Sequence, residues 1–172
     1  MPEIEVVTPD FNHSYLLNEI IDKITHTLNS SIYNSDYILD IQNFYNADRS
    51  QYDAAGILQA YESEIKKEKA LILTSVDLYL PIFTHIFGLA KLGGNAAIVS
   101  TYRLDNTLYG LPADDEKLME RVVKEIFHEF GHLYNLRHCE NYLCVMTSSN
   151  TADDLDIKNS AYCSKCSDSL PF

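Results

Sequence analysis

The first 138 residues contain no cysteine; the four in the chain are Cys139, Cys144, Cys163 and Cys166. A disulfide framework that staples a small secreted fold would spread its bridges more widely, so that class is disfavoured. Basic charge is also scarce: 13 Lys and Arg stand against 25 Asp and Glu, a formal net charge of −12. No clustered basic face results, which argues against a nucleic-acid partner. The opening Met1-Pro2-Glu3-Ile4-Glu5 lacks a basic stretch followed by an apolar run, the pattern of a signal peptide. The most apolar region, Ala70 to Leu92, is broken by Asp77, Pro81 and His85. It falls short of the ~20 apolar residues of a spanning helix. Repeats and low-complexity tracts are absent. These absences lead us to expect a cytoplasmic protein with reduced thiols, no membrane association and no nucleic acid.

What is present is a foldable chain. With 46% hydrophobic residues in 172, it can bury a real core in a single domain, residues 1–172, and is not a disordered chain. Glu3 to Thr8 alternates and reads as a strand, and Ser14 to Leu28 has helical spacing of Leu16, Ile20, Ile24 and Leu28. Asn29 to Asp36 reads as a loop, Tyr37 to Ile41 as a short strand, and Asn43 to Asp53 as irregular. Ala54 to Lys67 reads as a helix whose tail, Lys66-Lys67-Glu68-Lys69, is expected to be solvated. Leu71 to Val76 is a buried strand. Pro81 to Ala90 and Ala96 to Tyr102 form a hairpin about Gly93-Gly94-Asn95. Asp114 or Asp115 caps a helix from about Glu116 to Asn135, and a short helix follows near Asp153 to Asn159. The order implies an α/β sheet domain, residues 1–135, joined to a small irregular C-terminal subdomain, residues 136–172.

The long helix carries His128-Glu129-Phe130-Gly131-His132. Two histidines four residues apart share a helix face and can meet one metal ion, and the Glu beside the first can contact a water there without being a ligand. At about 100° per residue, Leu118, Val122, Ile126, Phe130 and Leu133 lie roughly opposite the histidines, with Arg121 and Lys124 on the histidine side. The helix should rest on a core and present its ligand face to a cleft. Chance gives this motif in roughly one such sequence in a hundred; a further His six residues on, here His138, lowers that to roughly one in two thousand. On a continuing helix His138 would lie about 9 Å further along the axis, so the helix must break after His132 and turn back. Asn135 is the residue best able to supply the positive φ of such a turn.

Cys139 and Cys144, then Cys163 and Cys166, form two pairs separated by a loop. They suit a closed four-thiolate zinc site with a structural role, with two disulfides or free thiols as the alternatives. His138 and Cys139 are neighbours, so a metal at the cysteines would also fix the third histidine.

From His128 to Cys139, then through Cys144-Val145-Met146 and Cys163-Ser164-Lys165-Cys166, the sequence resembles the archaemetzincins, zinc metalloproteases of the metzincin clan. The resemblance covers roughly residues 121 to 166. It extends weakly to Asp77-Leu78-Tyr79, Phe87-Gly88 and Arg103-Leu104. Asn135 stands where the family has Gly. The resemblance implies a compact metzincin-like fold: a twisted, mostly parallel sheet with helices over an active-site helix, and a zinc-stabilised lower subdomain. It makes Met146 the methionine of the turn beneath the catalytic zinc. It also implies an antiparallel edge strand beside the cleft, for which Phe83 to Ala90 is the candidate, with His85 a packing or rim residue and not a ligand.

Two Zn²⁺ per chain are expected: a catalytic ion on His128, His132 and His138, and a structural ion on the four cysteines. Glu129 is the expected general base in hydrolysis of peptide or protein substrates. The alternative is a catalytically inactive, zinc-stabilised interaction module of protease descent. Because the first strand begins almost at residue 1, no inhibitory propeptide is expected.

Overall fold

The computed structural model describes residues 1–172. A five-stranded sheet forms the centre, in the order β2-β1-β5-β8-β7. Its strands are β1 (Glu3–Val7), β2 (Ser31–Asn34), β5 (Lys69–Thr74), β7 (Gly88–Ala90) and β8 (Ala96–Ser100). All neighbours are parallel except β7, which pairs antiparallel with β8 through Leu89↔Ile98. A second, small sheet joins β3 (Tyr45–Asn46), β4 (Gln51–Asp53) and β6 (Leu78–Tyr79).

The alternation of side chains across β1, β5 and β8 divides the interior in two. Ile4, Val6, Leu71, Leu73, Ala97 and Val99 pack with α1 (Leu17–Thr27) and the long α3 (Asp115–Leu133). Ala70, Ile72, Ala96 and Ile98 pack on the other face with Ile57, Leu58 and Tyr61 of α2 (Ala54–Glu62). The central β5 is buried along its whole length, as a parallel strand covered on both faces must be. Two short helices, α4 (Ala152–Ile157) and α5 (Ser164–Ser167), lie in the cysteine-containing tail.

Several elements differ from expectation. Tyr37 to Ile41 is not a strand; Leu39 and Ile41 are buried against α2 without ladder hydrogen bonds. The edge strand is instead Ser31–Asn34, polar and half exposed, held by parallel pairing to β1. Asn43 to Asp53 is not irregular throughout but carries β3 and β4. The second helix stops at Glu62, well before Lys67. Lys69 is no solvated tail: it opens β5, is buried, and its Nζ donates to the Gly94 carbonyl at 2.8 Å and the Leu133 carbonyl at 3.5 Å. The cation thus sits at the C-terminal end of α3, where the helix dipole favours it. Of Phe83 to Ala90 only Gly88–Ala90 is strand; the preceding loop is tied by the Ile86 amide to the Leu78 carbonyl at 3.0 Å.

Candidate active site

α3 is capped by Asp114, whose side chain accepts from the Lys117 amide. It ends in a turn that closes two orphan carbonyls: the Leu136 amide donates to Gly131 O at 2.8 Å and the Asn135 amide to His132 O at 3.0 Å. Asn135 has φ 68°, the left-handed conformation expected of it. The Gly93 amide, from the β7–β8 turn, also donates to His132 O, at 2.9 Å. The chain reverses there and returns His138 to the helix.

His128, His132 and His138 come together, with ring centroids 4.7 to 5.2 Å apart. One ligand atom from each lies within 4.8 Å of the others. Two rings are fixed through their inner nitrogens: His128 Nδ1 bonds the Val145 carbonyl at 2.9 Å, and His132 Nδ1 the Leu136 carbonyl at 2.8 Å. Carbonyl acceptors make each Nδ1 the protonated nitrogen and leave Nε2 as a lone-pair donor. The two Nε2 atoms are 3.2 Å apart. Two imidazoles at a tetrahedral zinc would place them roughly 3.3 Å apart, so the donor set fits that ion. Burial pushes His128 down to about 3, helped by the Lys158 charge, and lowers His132 as well. Both therefore stay in the neutral, ligating form.

The cysteines behave alike. All four are free thiols with Sγ atoms within 4.8 Å of one another. Cys139 and Cys163 Sγ are 3.7 Å apart. Zn–S bonds in a tetrahedron give roughly 3.8 Å, so this group too fits zinc and is far from disulfide bonding distance. The Cys166 amide helps bring Cys163 down to about 7, whereas burial raises Cys144 and Cys166. The Cys139 amide donates to the Met146 carbonyl at 3.0 Å, which fastens this cluster to the segment beneath the histidines. Met146 is fully buried, and its thioether lies where a side chain at Gly131 would be.

The three histidines open onto a cleft of about 450 Å³. One wall is the loop from Leu80 to Phe87 and strand β7; the other includes Ser148, Ser149 and Asn150. β7 is hydrogen-bonded only to β8, so its outer edge is free beside the cleft. His85 is on the wall, outside the histidine cluster, as expected of a rim residue.

Not all of α3's histidine face meets the cleft. Its first half is covered by α4. Arg121 makes a bidentate pair with Asp156 at 2.7 and 2.8 Å, and Lys124 Nζ donates to the Leu155 carbonyl at 2.9 Å. Arg121 and Lys124 are both buried, although the helical wheel puts them on the open side. Two further residues, Glu125 and Lys158, escaped sequence reasoning, and Gly88 entered it only within the weak Phe87-Gly88 resemblance. Gly88 packs against Glu129: a Cβ there would stand 2.9 Å from Glu129 Cγ. Glu125, one turn before Glu129, lines the cleft and contacts it. Its four-residue spacing from Glu129 was the available signal. Lys158 is buried and donates to the Val145 and Thr147 carbonyls at 2.9 and 2.8 Å; nothing in its polar surroundings in the sequence marks it. Burial and the adjoining Glu125 carboxylate raise Glu129 well above the usual carboxylate range, with Lys158 opposing.

The sequence pattern of peptidase family M54 matches residues 1–171. The chain belongs to that family. An archaemetzincin from Pyrococcus horikoshii is 44% identical over 135 residues, covering 74% of this chain and 71% of the relative. Among solved structures, a zinc-dependent peptidase from Methanocorpusculum labreanum superposes with a TM-score of 0.87 at 31% identity, covering 97% of this chain and 99% of the other. An archaemetzincin from Archaeoglobus fulgidus, complexed with malonate, superposes at 0.84 with 31% identity, covering 98% and 99%. Membership of M54 makes the chain an archaemetzincin-type zinc metallopeptidase, a hydrolase acting on peptide or protein substrates, and its mixed α/β fold is that of the archaemetzincin structures. No helix is long and apolar enough to cross a membrane.

Proposed function

We propose that the cleft hydrolyses peptide bonds with Glu129 as general base and His128, His132 and His138 as the zinc ligands. The observation that carries this reading is the convergence of two carbonyl-anchored imidazoles and His138 beside a buried carboxylate, all lining one cleft. Zinc bound there supplies Lewis acidity, lowering the pKa of a water and polarising the scissile carbonyl. The chain's own residues do the rest. An extended peptide lies along the free edge of β7, where backbone hydrogen bonds hold it irrespective of sequence. Glu129 takes the proton of the attacking water and passes it to the leaving amine. The Val145 and Leu136 carbonyls keep both imidazoles in the ligating tautomer.

The four cysteines are proposed to hold a second, structural zinc, for two ions per chain. Residues 136–172 then act as a lower subdomain that carries His138 and Met146. Asn135, the one residue at which the motif departs from the family pattern, takes the left-handed turn that the position requires, so it does not favour the inactive-module alternative. The test is a peptide-library digest of the zinc-loaded protein beside Glu129→Ala. Wild type should cleave and the variant should retain its metal without turnover. Equal cleavage by both would refute the proposed base.

A further inference from the structure

Glu125 has no part in zinc ligation or proton transfer in the reaction proposed for the cleft. Its side chain is 94% buried by its 6% exposure, yet it lines the cleft with Glu129 and Ser148 to Asn150. No N–H, ammonium or alcohol group of the chain donates to Glu125 or Glu129; the one hydrogen bond of each carboxyl is to the other, with Glu129 the protonated partner and Glu125 the acceptor. Lys158 is the one cation close to both, and its ammonium hydrogen bonds go to the Val145 and Thr147 carbonyls. Two carboxyl groups therefore face one ammonium, and a pocket floored by acid is left with acceptor capacity to spare.

The direction of the reaction places this pocket on the substrate. Glu129 hands its proton to the leaving amine, so the residue that begins the departing fragment lies next to Glu129. Glu125 is one helical turn further along α3, about 6 Å, on the side away from His132. A long side chain on that first departing residue would enter the space between Glu125 and the segment from Ser148 to Asn150. A cationic end there would supply the missing donors. The formal net charge of −12 also favours approach of cationic peptides.

We propose that Glu125 is a specificity residue that selects substrates with lysine or arginine immediately after the scissile bond. The proposal rests on the peptidase reading of the cleft and extends it to a substrate class.

The experiment compares matched peptides that differ only at that position, Lys against Leu, on zinc-loaded wild type, Glu125→Gln and Glu125→Asp. Wild type should favour Lys by about 10-fold or more in kcat/KM. The ratio should fall towards one in Glu125→Gln and be partly kept in Glu125→Asp, which retains the charge. An unchanged ratio in Glu125→Gln, or no preference in wild type, overturns the proposal. So does a loss in Glu125→Gln that is equal for both peptides, since that would mean Glu125 acts only through Glu129. A second arm needs no turnover: the Kd values of the same fluorescent peptides for zinc-loaded Glu129→Gln, with and without Glu125→Gln. Preference for Lys that disappears with Glu125→Gln supports the proposal even if wild type cleaves nothing, in which case only the peptidase reading fails. Equal binding of both peptides overturns it.

Discussion

Gly88 on the edge strand lies directly against Glu129 on the active-site helix: a Cβ at Gly88 would come within 2.9 Å of Glu129 Cγ and 3.0 Å of its Oε1. The same atom would stand 2.9 Å from the Ile98 carbonyl, which is backbone and cannot swing aside. Gly88→Ala must therefore displace the Glu129 side chain, the strand, or both. Misplacing a catalytic base by about 1 Å costs on the order of 100-fold in rate. We expect kcat to fall by about 10- to 100-fold while zinc content is retained. A variant with wild-type kcat would show that Glu129 does not depend on this contact.

Metal content should separate the two clusters. Wild type is expected to bind two zinc ions and His138→Ala one, with the thiolate site still filled. Cys163→Ser should lose the other ion. It should also lower the melting temperature more than His138→Ala does, because the proposed thiolate ion would tie Cys139, Cys144, Cys163 and Cys166 together across the tail. Elemental analysis together with thermal melts of the three proteins checks both statements. A single ion in wild type would refute the count.

The buried Glu129 carboxyl makes a pH prediction for the zinc-free protein. Its folded pKa is raised above the ordinary value of 4.5, chiefly by burial. The native state therefore holds a proton that the unfolded chain gives up. That contribution to stability is complete below about pH 4.5 and is lost as pH rises through the folded pKa. Glu129→Gln cannot ionise and escapes the loss. The zinc-free variant should melt above zinc-free wild type at pH 8, and the gap should close at pH 4. A gap that widens as pH falls would contradict the assignment.

Asn135 stands at a position where glycine is the usual solution, and its φ of 68° shows why either residue serves. Asn135→Gly should change stability by no more than about 1 kcal/mol and keep the zinc content. Asn135→Ala should cost about 1–2 kcal/mol, because a Cβ without a compensating polar group is unfavourable there. Gly93→Ala should cost more than either Asn135 variant. Gly93 has φ 68°, and a Cβ on it would come within 2.7 Å of Asn135 Oδ1. Chemical denaturation of the three variants ranks them.

The helix, the three histidines and the thiolate cluster were legible because their signals are local. A 3.6-residue period, a four-residue histidine spacing and a single turn-forming Asn define α3 and its end without reference to the rest of the chain. β2 was not legible. Ser31–Asn34 is held by its register against β1, Ile4↔Ile32 among the pairs, and its own residues are those of a loop. Lys69 was misjudged for a similar reason. In a run of charges it looks solvated, but its ammonium is needed at carbonyls contributed by Gly94 and Leu133, far along the chain. Lys158 and Glu125 are brought near each other by the docking of α4 on α3, to which the Arg121–Asp156 pair, the Lys124 bond to the Leu155 carbonyl and the buried Leu155 side chain all contribute.

On the two-zinc proposal, the adjacency of His138 and Cys139 couples the histidine and cysteine clusters. One peptide bond separates a residue of each, and the Cys139 amide is tethered to Met146 as well. On that proposal, an ion held by the four cysteines would restrict His138 and so remove part of the entropy that an ion at the imidazoles would have to overcome. Linkage makes the effect reciprocal: whatever factor the thiolate ion contributes to affinity at the histidines, the histidine ion returns at the thiolates. Chelators should then strip the pair in a concerted manner, with a loading curve steeper than that of two separate sites.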